Sequence, residues 1–295
     1  MSEPRIDFVQ CLNASPADAG SHRMAYWSWG DAANPRVLVC VHGLSRQGRD
    51  FDALARALAG DYRVVAPDIV GRGRSDWLRD PMGYGLPQYV GDMTVLLARL
   101  DAKELNWLGT SMGGLIGMAA AALLDGAVSR LILNDVGPRI TAESLQRIAG
   151  YLGKAPKFAS RRQAEDYLWS ISQTFGPHTP EQWRALCEPM LKPEGDGFVL
   201  HYDPRIAVAF GVATPEATAA GEAQLWALYD RIRAKTLLVR GAQSDLLTPE
   251  VADEMTRRGP RATLVQIEGV GHAPTFVPDE QIALVRDFLR QPVSP

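Results

Sequence analysis

A short apolar run, Asn106-Trp107-Leu108, passes into Gly109-Thr110-Ser111-Met112-Gly113-Gly114 and then into an apolar segment that reaches Leu124. This reads as strand, tight turn and helix, with Ser111 held in a strained backbone conformation at the strand tip. Such a turn leaves little room for side chains two residues before and two after the serine, and Gly109 and Gly113 meet that demand. The five-residue pattern is short, and the chain holds 27 glycines, so its surroundings must decide what it means.

Those surroundings are regular. Two early runs, Asp7 to Cys11 and Arg23 to Trp29, flank a turn-forming segment and fit an antiparallel pair. Arg36 to Val41 is almost wholly apolar and rich in valine, as strands buried on both faces of a parallel sheet are. Arg63 to Ala66, Arg130 to Asn134, Thr236 to Arg240 and Thr263 to Ile267 repeat that signature. Helical patterns at Phe51 to Leu58, Gln88 to Leu100, Pro249 to Arg257 and Asp279 to Leu289 fall between or after them. Strands alternating with helices predict an α/β chain with a doubly wound, mostly parallel sheet. The alanines and glycines of Met112 to Leu124 would let that helix lie close against it.

Val136 to Ile232 breaks the alternation. It shows little strand signal and several helix starts, including Thr179-Pro180-Glu181-Gln182 and Ser160 with Gln163. A structureless loop of that length is implausible inside a domain. We therefore expect residues 1–136 and 233–295 to form the core and 137–232 a helical cap, whose aromatics serve as insertion core and pocket wall.

With 31 basic against 34 acidic residues and no long single-sign run, the chain lacks an electrostatic footprint for nucleic acid or an anionic membrane. A small-molecule partner is expected. The three cysteines are scattered, no paired Cys or His spacing suggests a metal, and no cofactor motif is found. No apolar run is long enough to span a bilayer, and a cytoplasmic location is expected.

A serine hydroxyl needs a base to take its proton, a carboxylate to orient that base, and donors for the oxyanion. Of the five histidines, His272 lies on a loop after the last strand, where Gly269 and Gly271 allow the chain to swing its imidazole towards the strand tips. His42 suits a turn that holds its own loop. Asp135 and Asp245 both lie beyond carboxyl ends of strands. Asp245 is preferred because it gives the chain order Ser, Asp, His that accompanies this kind of elbow; Asp135 stays open, since a carboxylate can reach the same histidine from a neighbouring strand. The backbone N–H groups of Met112, at a helix start, and of Leu44, after His42-Gly43, are the expected oxyanion hole.

Taken together, His42-Gly43, Asp68 with Gly71, Gly73 and Ser75, the Ser111 elbow, Asp245 and Gly271-His272 resemble the α/β-hydrolase superfamily over nearly the whole chain. That resemblance implies a cap between the sixth and seventh core strands. Haloalkane dehalogenases and epoxide hydrolases of this fold use an aspartate nucleophile, which Ser111 argues against. His42-Gly43-Leu44-Ser45 replaces the His-Gly-Gly-Gly run of many lipases and esterases. The chain looks closer to capped esterases, enol-lactonases and carbon-carbon bond hydrolases. The expected activity is carboxylic ester hydrolysis through an acyl-enzyme; lactonase, lyase or carbon-carbon hydrolase chemistry and a non-catalytic receptor are the alternatives. The substrate and the oligomeric state are not written in these motifs.

Overall fold

The computed structural model describes residues 3–124, 126–211 and 215–292. Residues 1–2, 125 and 293–295 of the expected core and 212–214 of the expected cap lie outside the described residues. In chain order, β1 (Arg5–Leu12) and β2 (Ser21–Trp29) form the antiparallel pair, followed by β3 (Arg36–Val41), α1 (Asp52–Leu58), β4 (Arg63–Pro67) and α2 (Leu86–Leu100). Then come β5 (Glu104–Thr110), α3 (Met112–Leu123) and β6 (Val128–Asn134). The segment that follows holds α4 (Ala142–Ala149), β7 (Lys157–Phe158), α5 (Arg161–Ser170), α6 (Pro180–Cys187), β8 (Leu191–Glu194), β9 (Gly197–Leu200), α7 (Ile206–Gly211) and α8 (Pro215–Arg231). The chain closes with β10 (Lys235–Gly241), α9 (Pro249–Arg257), β11 (Thr263–Ile267) and α10 (Asp279–Arg290).

The main sheet has eight strands in the order β1-β2-β4-β3-β5-β6-β10-β11. Only the β1/β2 and β2/β4 pairings are antiparallel. From β4 to β11 every neighbour is parallel, so the carboxyl ends of those strands share one edge. Strand periodicity explains why the runs read as continuously apolar. Val37, Val39 and Val41 face the helices α2, α3 and α9, while Leu38 and Cys40 face α1 and α10, and both faces are closed.

Close packing of α3 is visible at Gly117, where any Cβ would collide with the indole of Trp107. That indole is fully buried and donates from Nε1 to Gly113 O at 3.1 Å, which ties the strand before the turn to the helix after it.

Two features of the insertion differ from the sequence reading. It carries a three-stranded antiparallel sheet in the order β7-β9-β8, built around a hairpin that turns at Gly195, φ 57°. Pro193 weakens β8 as a strand signal, and it is tolerated because β8 is an edge strand. Helix α8, expected within the cap, instead packs on α3, with Trp226 and Tyr229 buried in the main core and Tyr229 Oη donating to Met255 O at 2.7 Å. The capping box at Thr179 and Gln182 is present, and Ser160 caps α5 through Gln163 N.

Gly117→Val should destabilise the fold by about 3 kcal/mol or more, because the branched side chain meets a buried indole that has nowhere to go. Urea denaturation of the purified variant measures it.

Candidate active site

Ser111 lies between β5 and α3 with φ 53° and ψ −117°, the strained geometry expected of a strand-tip elbow. Its N–H is donated to Asn134 O at 3.0 Å, so the next strand fixes the turn. A Cβ on Gly109 would strike the Gly113 carbonyl, and one on Gly113 would strike Val41 O. Both glycines are therefore required by close backbone approach.

The structure brings Ser111 and His272 together, with Ser111 Oγ 3.0 Å from His272 Nε2. On the far side of the ring, Nδ1 lies 2.8 Å from Asp135 Oδ2. This corrects the preference for Asp245. Asp135 follows directly on β6, has φ 55° and is completely buried. Besides His272 it accepts from Gly241 N–H at 2.9 Å and from Ser244 Oγ at 2.6 Å. An acceptor-only carboxylate facing Nδ1 makes that nitrogen the N–H donor and leaves the Nε2 lone pair for the serine proton.

Asp245 lies four residues beyond the end of β10, past the turn closed by Ser244 N–H to Gly241 O, and makes no hydrogen bond to His272. Its carboxylate pairs with Arg147 of α4 at 2.6 and 2.8 Å, and its carbonyl accepts from Thr141 Oγ1. Partial burial raises its pKa, and Arg147 overrides this to hold it below the ordinary carboxylate range.

Met112 is the first residue of α3, where an N–H has no carbonyl of its own helix to bond. Leu44 borders the same space as Ser111, and its carbonyl accepts from Arg72 Nε at 2.8 Å. Arg72 is fully buried, and its guanidinium also donates to Val70 O and Tyr89 Oη. It thereby fixes the Leu44–Ser45 peptide, next to the one that carries the Leu44 N–H. Nothing in the sequence singled out Arg72, because a basic residue in a glycine-rich loop reads as exposed.

His42 is scaffold, as expected. Its Nε2 accepts from Ile69 N–H at 3.0 Å, which makes Nδ1 the donor to Gly43 O at 2.7 Å. Burial pushes its pKa down to about 3. Asp68 accepts from Gly48 N–H, Arg74 N–H and Trp27 Nε1, and burial pushes its pKa up to about 6 against those bonds.

The insertion reaches the loop of His272. Thr174 O accepts from Gly271 N–H at 2.7 Å, Thr174 Oγ1 donates to His272 O at 2.6 Å, and His178 Nε2 lies 2.8 Å from Thr275 Oγ1. Sequence reasoning missed all three contacts, since they join segments about a hundred positions apart.

Two cavities meet at Ser111. One, of about 90 Å³, is bordered by His272, Thr275, Tyr151, Arg46, Asp50 and Arg147. The other, of about 630 Å³, is bordered by Met112, Leu115, Ile140, Leu145, Ile206 and Phe210, and has no charged residue among its described lining. Leu44 and Ile148 border both. Away from this site, Cys11, His22 and Asp92 bring potential ligand atoms within 4.8 Å of one another at the antiparallel edge of the sheet. His22 is already engaged there with Asn13 and Asp92.

Residues 38–284 match the model of the alpha/beta hydrolase family. The chain belongs to that family. This hydrolase is 55% identical over 291 residues to a 3-hydroxybutyrate-oligomer hydrolase of Cupriavidus necator, covering 97% of this chain and 98% of the relative. Among solved structures, it resembles a putative hydrolase from Rickettsia typhi, with TM-score 0.87, 29% identity and coverage of 98% and 99% of the two chains. An alpha/beta hydrolase from Novosphingobium aromaticivorans follows at TM-score 0.84 and 34% identity, with the same coverage. The hydrolase is an ester-cleaving enzyme of the serine type. Among the described residues no helix is long and apolar enough to cross a membrane.

The buried His42 has a direct consequence for acid stability. Between pH 6.5 and about 3 the unfolded chain takes a proton on this imidazole that the folded chain refuses, so stability is complete above 6.5 and falls as the pH drops below it. The loss from this group should approach about 1.4 kcal/mol per pH unit. Urea unfolding at pH 7, 6 and 5 should show this component, and a His42→Gln protein should lack it.

Proposed function

We propose that this hydrolase cleaves linear oligoesters of 3-hydroxybutyrate or close homologues through a Ser111 acyl-enzyme. The observation that carries the reading is the continuous chain of contacts from Ser111 Oγ to His272 to Asp135, placed where two cavities of unequal character join. The 55% identity to an oligomer hydrolase over nearly the whole chain supports the substrate class.

In this mechanism His272 Nε2 takes the Ser111 proton as Oγ attacks the ester carbonyl. The N–H groups of Leu44 and Met112 hold the oxyanion, and the α3 N-terminus adds its dipole. His272 then gives the proton to the departing alkoxide. Water, activated by the same imidazole, releases the acid. Asp135 keeps Nδ1 protonated and stabilises the imidazolium, a role its three donors preorganise. The segment between β6 and α8 acts as the cap, bordering both cavities and holding the base loop. We place the enzyme in the cytoplasm, where its three buried thiols, none of them in a disulfide, remain reduced.

Ser111→Ala should abolish hydrolysis of 3-hydroxybutyrate trimer, measured by release of monomer. Asp135→Asn should lower kcat by about 10⁴ through the wrong imidazole tautomer, whereas Asp245→Asn, which breaks a half-exposed pair, should cost less than about tenfold. The reverse ranking of the two aspartates would overturn the assignment, and normal turnover by Ser111→Ala would overturn the mechanism.

A further inference from the structure

The two cavities differ in the way the two halves of an ester differ. Met112, whose N–H would face the carbonyl oxygen of the acyl group, borders the large cavity; His272, which must protonate the leaving alkoxide, borders the small one. The large cavity lies within the size range of extended small-molecule sites and its described lining carries no charge. The small cavity falls well below that range, and its cations Arg46 and Arg147 outnumber its one carboxylate, Asp50.

Neither guanidinium is fully used. Arg46 donates from Nε and Nη2 to Asp50 and from Nη2 to Leu186 O; Arg147 donates from Nε and Nη2 to Asp245. Nη1 of each makes no hydrogen bond among the described residues, and both side chains border the cavity next to His272. Asp245, the partner of Arg147, is not part of the cavity wall. Each guanidinium is charge-balanced by its own carboxylate, but the unbonded Nη1 of each, in a wall that is otherwise largely apolar, matches an alcohol that carries its own carboxylate.

Building on the oligoester reading, we infer that the small cavity binds the terminal 3-hydroxycarboxylate unit at the carboxyl end of the chain, with Arg46 and Arg147 receiving its carboxylate. The remaining oligomer lies acyl-first in the apolar cavity. Ser111 Oγ bonds to the penultimate unit's carbonyl carbon as the bond from that carbon to the terminal unit's C3 oxygen breaks. His272 returns its proton to that oxygen, and a free 3-hydroxyacid leaves. Hydrolysis of the acyl-enzyme by water restores a carboxylate on the shortened chain, which is ready for the next cycle. The enzyme therefore trims from the carboxyl end.

A tetramer of 3-hydroxybutyrate, acetylated at its hydroxyl end and supplied either as the free acid or as the methyl ester, tests this. The first monomer released from the free acid should be unacetylated, and kcat/KM for the acid should exceed that for the ester by about tenfold to a hundredfold, the worth of a hydrogen bond to a charged group. Arg147→Gln should raise KM for the acid and narrow that ratio. An acetylated monomer as first product, or equal kcat/KM for acid and ester, overturns the inference. Hydrolysis of neither tetramer by a preparation that cleaves phenyl butanoate overturns the oligoester reading as well.

Discussion

Everything at the site depends on how closely the backbone of the elbow approaches its neighbours. Gly113 sits against the carbonyl of Val41 at the end of β3, Gly109 sits against Gly113, and Ser111 N–H is donated to Asn134 at the end of β6. The turn is thus pinned between two parallel strands by main-chain contacts that no side chain could enter. This rigidity maintains the unfavourable φ of Ser111, since such strain persists only where the surroundings over-determine it. It also sets where α3 begins and hence the direction of its N-terminal dipole.

The second level of order is polar and buried. Asp135, Asp68, Arg72 and His42 are each enclosed, and each makes at least one hydrogen bond to main chain at the carboxyl edge of the sheet. A buried group of this kind is costly unless every partner is present, so these loops have few alternatives to the observed conformation.

Much of this was legible in the sequence. The β3 run matched its strand end for end, the α9 helix spans Pro249–Arg257 as its pattern indicated, and the elbow and His272 came together from glycine placement and chain order. Asp245 does not meet His272 as expected, because chain order cannot distinguish β6 from β10 as the source of the carboxylate beside the imidazole. Adjacent in the sheet, both strands deliver an aspartate near the same histidine: Asp135 follows its strand directly and meets the imidazole, while Asp245 lies four residues further on and pairs with Arg147. The β8/β9 hairpin was hidden by Pro193, and α8 by the absence of any marker for which surface a helix covers. Contacts such as Thr174 to His272 are products of tertiary packing and have no local signal.

Those contacts have a kinetic meaning. Thr174 and His178 lie in the segment between β6 and α8; Thr174 holds the main chain on both sides of the His272 imidazole, and His178 engages the Thr275 hydroxyl. The inserted segment and the loop of His272 are thus tied together by three hydrogen bonds. A fluctuation that lifts this segment also breaks the bonds that fix the loop of His272, so the contact between His272 and Ser111 loosens with it.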